Sequence, residues 1–131
     1  MADEHVVLDA SALVDLVLAH PIGAAVGARI EGRVLHAPAH LDAEVLSALG
    51  RLHRAGSLTA RAVSRQIDLV AAAPIDRHPL AEMLRGAWMR RAQLRLADAL
   101  YVELAVRLGL PLVTTDAALG RATSVAEVIT A

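Results

Sequence analysis

Four acidic residues, Asp9, Glu44, Asp98 and Asp116, are the side chains in this sequence best suited to chemistry. They are remote from one another along the chain, and each adjoins an apolar run of strand or helix character. Carboxylates brought together repel, and a divalent cation offsets that cost. An all-oxygen ligand set suits Mg²⁺ or Mn²⁺. A cation held this way activates water and stabilises charge on phosphoryl oxygens, so the expected chemistry is phosphodiester hydrolysis.

The elements needed to gather these acids are legible along the chain. His5-Val6-Val7-Leu8 reads as a buried strand ending at Asp9. Ser11 is placed to cap a helix running to about Ala19, and Pro21 opens a second helix over 21–31. Arg33 to Ala37 reads as a strand, followed by a helix from Leu41 to Ala55 that Gly56 ends. Thr59 opens a helix to Ala72, Pro74-Ile75-Asp76 is a short strand, and Pro79 starts a helix to Arg91. A helix over 96–108 closes at Gly109, and Leu112-Val113-Thr114 is a strand. A short helix over 117–121 and a last strand over 124–129 complete the chain. Strands alternating with helices predict an α/β fold with a mostly parallel sheet of four to five short strands, covered on both faces.

That topology explains why the acids should meet. Ligands of an open parallel sheet bind at the carboxyl ends of its strands. Asp9 ends the first strand, and Asp116 lies just beyond the 112–114 strand. Glu44 and Asp98 lie early in their helices, with Glu44 in the helix that follows the second strand. On the helix over 96–108, Glu103 and Arg107 form an i,i+4 pair on one face. Asp98 points roughly 140–180° away from it by helical geometry, and is expected to project inward. Each acid also has an ordinary structural reading: Asp9 as an Asx cap, Glu44 as a solvated helix residue, Asp98 as a helix-start carboxylate, Asp116 as a cap. The case for function rests on their convergence. Ser11 and Thr115 adjoin the proposed ligands and are suited to orienting a carboxylate or a bound water. Asp15, Asp42, Asp68 and Asp76 read as surface or capping residues; the six histidines show no metal-binding cluster or Ser/His/Asp arrangement, and His36 and His53 read as structural. Trp88, Met83 and Met89 share a helix and read as core or subunit interface.

Composition narrows the alternatives. At 131 residues, 56% of them hydrophobic, the chain is expected to be one domain with a sizeable core. The absence of cysteine excludes disulfides and thiolate chemistry. All 13 basic residues are arginine, so a P-loop lysine and Schiff-base chemistry are excluded. The acidic start carries no signal-peptide pattern, and no apolar run is long enough to predict a membrane span. Cytoplasm is the expected location. A phosphatase or phosphoacceptor would carry an Asp-x-Asp pair and a lysine, but here Asp9 is followed by Ala10-Ser11 and lysine is absent. A catalytically silent binding module on the same fold is the other alternative.

Four segments together resemble a PIN-domain ribonuclease, and more narrowly a VapC-type toxin. They are Val6-Val7-Leu8-Asp9-Ala10-Ser11-Ala12-Leu13, Ala37-Pro38-Ala39-His40-Leu41-Asp42-Ala43-Glu44-Val45, Ala97-Asp98-Ala99-Leu100-Tyr101-Val102 and Leu110-Pro111-Leu112-Val113-Thr114-Thr115-Asp116. Their order and spacing span nearly the whole chain. The resemblance implies a PIN-like three-layer sandwich over residues 1–131. It assigns acidic metal-site roles to Asp9, Glu44, Asp98 and Asp116, and maps the family's hydroxyl positions to Ser11 and Thr115. It further implies an Mg²⁺- or Mn²⁺-dependent endoribonuclease that cuts structured RNA, a small VapB-like antitoxin partner and a homodimer. One departure is the stretch Gln93-Leu94-Arg95-Leu96, where the family often has a Ser or Thr helix cap before the aspartate.

Overall fold

The computed structural model describes residues 3–131. Met1 and Ala2, part of the acidic start read for targeting signals, lie outside the described residues. β1 (His5–Leu8) leads through α1 (Ala10–Val17) and α2 (Pro21–Ile30) to β2 (Val34–Pro38). Then come α3 (Leu41–Arg54), α4 (Ala60–Ala72) and β3 (Ile75–His78). A 3₁₀ turn (Ala81–Met83) precedes α5 (Leu84–Met89) and α6 (Leu96–Leu108). The chain continues through β4 (Leu112–Thr114), α7 (Ala117–Ala122) and β5 (Ala126–Val128). The strands form one sheet in the order β3-β2-β1-β4-β5, with every neighbouring pair parallel.

Strand order fixes the layers. Right-handed crossovers from β1 to β2 and from β2 to β3 carry α1–α4 onto one face. The return from β3 to β4 and the step to β5 carry α5–α7 onto the other. In keeping with this, α1 packs on α2, α3 and α4, while α5 packs on α6. The sheet core is aliphatic: Val6, Val7, Leu8, Leu112 and Val113 are fully buried between the layers. Connections leave β1 and β4 in opposite directions, so the crevice beyond their carboxyl ends is the topological switch point where α/β sheets bind ligands. Among the described residues, no single helix is long and apolar enough to cross a membrane.

Several boundaries differ from the sequence expectation for identifiable reasons. Asp9, not Ser11, caps α1: its Oδ1 accepts the Ala12 N–H at 3.0 Å, and Ser11 lies inside the helix. α1 stops at Val17 because Ala19 turns to a φ of 54°. The helix expected over 79–91 breaks into the 3₁₀ turn and α5, and Met83, with its side chain buried in the core, marks the joint. Elsewhere local chemistry holds: Thr59 caps α4 through Ala62, and Gly109 ends α6 at a φ of 67°. Gly23 lets α2 cross α1 closely, since a Cβ there would lie 2.2 Å from the Asp15 carbonyl oxygen.

Candidate active site

Asp9 is the first residue past β1, and its carboxylate is buried at 4% exposure. Ser11 Oγ donates to its Oδ1 at 2.8 Å, beside the Ala12 N–H, and Thr114 Oγ1 donates to its Oδ2 at 2.5 Å. Thr114 ends β4, the strand paired with β1, so the hydroxyl that holds Asp9 comes from the other side of the switch point. Burial outweighs these hydrogen bonds and, with repulsion from Asp116, pushes the Asp9 carboxyl up to about 6.

Asp116 follows β4 across the crevice. It caps α7, with Oδ1 accepting from the Ala118 and Leu119 N–H groups. Its structural reading is thus real, yet it also lines the cleft, because a cap needs only one carboxylate oxygen. Glu44, one turn into α3, accepts from Tyr101 Oη at 2.7 Å, which fixes it over α6. The Tyr101 ring is buried, and burial together with Glu44 raises its pKa, so the phenol stays a donor.

Asp98 sits in the first turn of α6. It enters the cleft as its helical phase predicts, but it is not unpartnered. Arg95, at the uncapped N-cap position, donates Nε to Asp98 Oδ2 at 3.1 Å and Nη2 to Oδ1 at 3.3 Å. The departure at 93–96 therefore replaces a hydroxyl cap with an arginine clamp. Hydrogen bonding and charge from Asp98 raise the Arg95 pKa, and Glu44 and Asp116 add to the effect. Arg95 thus occupies the field of the acids as a built-in counter-charge. On the opposite side of α6, Glu103 is buried and gripped by Arg107, its i,i+4 partner, and by Arg90. Burial pushes its carboxyl up, but the two guanidinium groups prevail and hold it below its ordinary value.

All four predicted acids line one cleft of about 340 Å³, together with Ser11, Asp15, Arg51, Arg95 and Tyr101. Sequence reasoning missed Asp15. It lies four residues after Ser11, on the same face of α1, and accepts from Thr115 Oγ1 at 2.7 Å. Thr115 therefore orients Asp15, while Thr114 does the corresponding work for Asp9. A strand-end threonine gives no local signal of that role. The donor set is all oxygen and includes a desolvated carboxylate, which suits Mg²⁺ or Mn²⁺. No three of these acids gather their oxygens within 4.8 Å. A cation that keeps several of its waters, as Mg²⁺ does, spans the wider spacing. The histidine expectation also changes: His36 and His78 stand beside Asp76 with ligating atoms within 4.8 Å of one another. Trp88 and Met89 are exposed, and only Met83 of that group is core.

A PIN domain family model matches residues 6–124. Ribonuclease VapC3 of Mycobacterium tuberculosis is 55% identical over 121 residues, covering 91% of this chain and 88% of the relative. Ribonuclease VapC12 of the same organism is 39% identical over 88% of this chain and 90% of its own length. Among solved structures, the PAE2754 protein of Pyrobaculum aerophilum superposes with a TM-score of 0.68 at 30% identity, covering 96% of this chain and 83% of its own. Mycobacterium tuberculosis VapC20, described as a Sarcin-Ricin loop cleaving toxin, gives 0.69 at 15% identity, covering 89% and 94%, a likeness of fold alone. With the α/β topology, the switch-point cleft and these matches in agreement, the chain belongs to the PIN domain family, in its VapC branch.

Proposed function

We propose that this chain, acting as a single domain over residues 1–131, is the endoribonuclease toxin of a toxin–antitoxin pair, hydrolysing structured RNA with Mg²⁺ or Mn²⁺. The observation that carries the reading is the meeting of Asp9, Glu44, Asp98 and Asp116, from four remote segments, in one cleft at the switch point. The names of the VapC ribonuclease relatives support it. Asp9, Asp98 and Asp116 would hold the cation, directly or through its waters. Bound there, it would lower the pKa of a water and stabilise charge on the phosphoryl oxygens.

The chain's own groups supply the positioning. Ser11 and Thr114 hold the two Asp9 oxygens by donating to them, which keeps the buried carboxylate in a fixed direction. Glu44, aimed by Tyr101, would orient the attacking water in line with the scissile bond. Arg51 and Arg95 line the same cleft and would pair with backbone phosphates. Cleavage of a structured RNA, measured in chelator and again after Mg²⁺ or Mn²⁺ is restored, tests the reading. Metal-restored cleavage is expected, and cleavage unaffected by chelator would overturn it.

Partners follow from the surface. A groove between α3 and α4, lined by Val45, Leu46, Leu49, Ile67 and Val70, leaves Leu46 55% exposed and would seat an amphipathic antitoxin segment. On α2, by contrast, Val26 is fully buried between half-buried Ile22 and Ile30, so that helix offers no such groove. Exposed Leu84, Trp88 and Met89 on α5 would pair with a second copy as a homodimer. The cytoplasm is the compartment consistent with such a toxin.

A further inference from the structure

Away from the acidic cleft, three strands carry a second group of ligating side chains. His5 is on β1, His36 on β2, and Asp76 and His78 on β3. Register puts all four on one face. Val34 pairs with His5 and lies two residues from His36; His36 pairs with Asp76, which lies two residues from His78. His36 is buried at 9% exposure, whereas Asp76 is exposed, so the group runs from the interior to solvent. None of these residues lines the cleft.

The distances fit a metal ion. His36 Nδ1 lies 2.9 Å from His78 Nε2, and Asp76 Oδ2 lies 3.7 Å from the first and 3.6 Å from the second. Ligands bound tetrahedrally at the Zn–N distance of about 2.05 Å stand about 3.3 Å apart. The three edges bracket that value, and a point about 2.0 Å from all three donor atoms lies within the triangle they define. The short edge needs to open by about 0.4 Å, which His78 can supply from the end of an edge strand.

A hydrogen bond prepares the buried ligand. His36 Nε2 lies 2.8 Å from His5 Nδ1. With the proton on His36 Nε2, His36 donates to His5, and its Nδ1 carries a lone pair that accepts from His78 Nε2–H and that a metal would take in place of that hydrogen bond. Donation of the second ring N–H to a neighbour is the usual support of a metal-bound histidine. The Asp76 side chain is 64% exposed, so the group opens to solvent on that side and water can serve as a fourth ligand.

We propose that His36 Nδ1, His78 Nε2 and Asp76 Oδ2 form a site for a zinc-class divalent transition metal, with His5 orienting His36 and water in the fourth position. The N₂O donor set favours such a metal over Mg²⁺. The ion ties edge strand β3 to β2, so its effect is on the folded protein and not on the cleft.

The test uses tag-free full-length protein and Co²⁺ as a spectroscopic stand-in for zinc. Wild type should bind one Co²⁺ with the intense visible bands of a tetrahedral site, and equimolar Zn²⁺ should displace it and raise the melting temperature. Asp76→Ala and His78→Gln, both at solvent-accessible positions, should each weaken binding at least tenfold. His5→Gln should weaken it about tenfold through loss of the orienting bond. Asp98→Asn, a change in the cleft, should leave the tetrahedral Co²⁺ bands as they are in wild type. Absence of the tetrahedral bands, their survival in both Asp76→Ala and His78→Gln, or their loss in Asp98→Asn would overturn the proposal.

Discussion

The Arg95 guanidinium grips the Asp98 carboxylate through two hydrogen bonds at 3.1 and 3.3 Å, inside the field of Glu44 and Asp116. A cation entering the cleft must compete with it for Asp98. Arg95 is 77% exposed at its side chain, so the pair is weak, on the order of 1 kcal/mol or less. Arg95→Gln should therefore tighten Mn²⁺ binding severalfold, up to about fivefold by that magnitude. Isothermal titration of both proteins decides this, and equal or weaker binding by the variant would show that Arg95 does not compete.

Asp9 sets a pH signature of the metal-free protein. Its folded pKa of about 6 lies above its ordinary value of 3.8. Between these values the folded state binds more protons than the unfolded state. The contribution is fully present below pH 3.8 and is lost as pH rises through about 6. The size is about 3 kcal/mol at most. In chelator, wild type should lose stability over that window relative to Asp9→Asn, and Mg²⁺ at neutral pH should restore part of it to wild type only. Denaturant melts at pH 4, 5, 6 and 7 measure it; parallel curves for the two proteins would refute the assignment.

Glu103 behaves oppositely. Its folded pKa is held below its ordinary 4.5, so its stabilisation is present above that value and is lost as pH falls through the lowered one. Glu103→Gln leaves Arg90 and Arg107 without their shared carboxylate and should cost about 2 kcal/mol at neutral pH. The difference should vanish in acid. An equal deficit at pH 7 and pH 2.5 would mean that packing, not charge, sets the effect.

Gly23→Ala should destabilise by about 3 kcal/mol or more, because the new Cβ meets the Asp15 backbone 2.2 Å away and backbone cannot yield as a side-chain tip can. Thermal melts check it. A loss under 1 kcal/mol would mean that α1 and α2 slide apart freely.

Sequence showed what local patterning controls. The β-branched run before Asp9, Gly109 closing α6 and Thr59 opening α4 all appear where their chemistry predicts. The four acids were legible because strand ends and helix starts share an edge in a parallel sheet. What stayed hidden depends on packing between remote elements. Thr114 reads as an ordinary strand residue until β4 pairs with β1 and sets its hydroxyl on Asp9. Glu103 reads only as the i,i+4 partner of Arg107 until Arg90 and the bare backbone of Gly86 make a berth for the carboxylate. His36 and His78 are 42 residues apart, and only the β2–β3 register brings them together.

The proposed function makes the switch-point acids one metal-dependent nuclease site. Its most direct test is turnover of structured RNA in Mn²⁺ by Asp98→Asn, beside Asp42→Asn, a change in an exposed carboxylate that pairs with Arg77 outside the cleft. Asp98→Asn should lose about 100-fold or more in turnover, since losing a ligand's hydrogen-bonded support alone costs about 10–100-fold, with an unchanged circular dichroism spectrum, while Asp42→Asn should cleave as wild type does. Wild-type turnover by Asp98→Asn would show that the cleft acids are not the nuclease site.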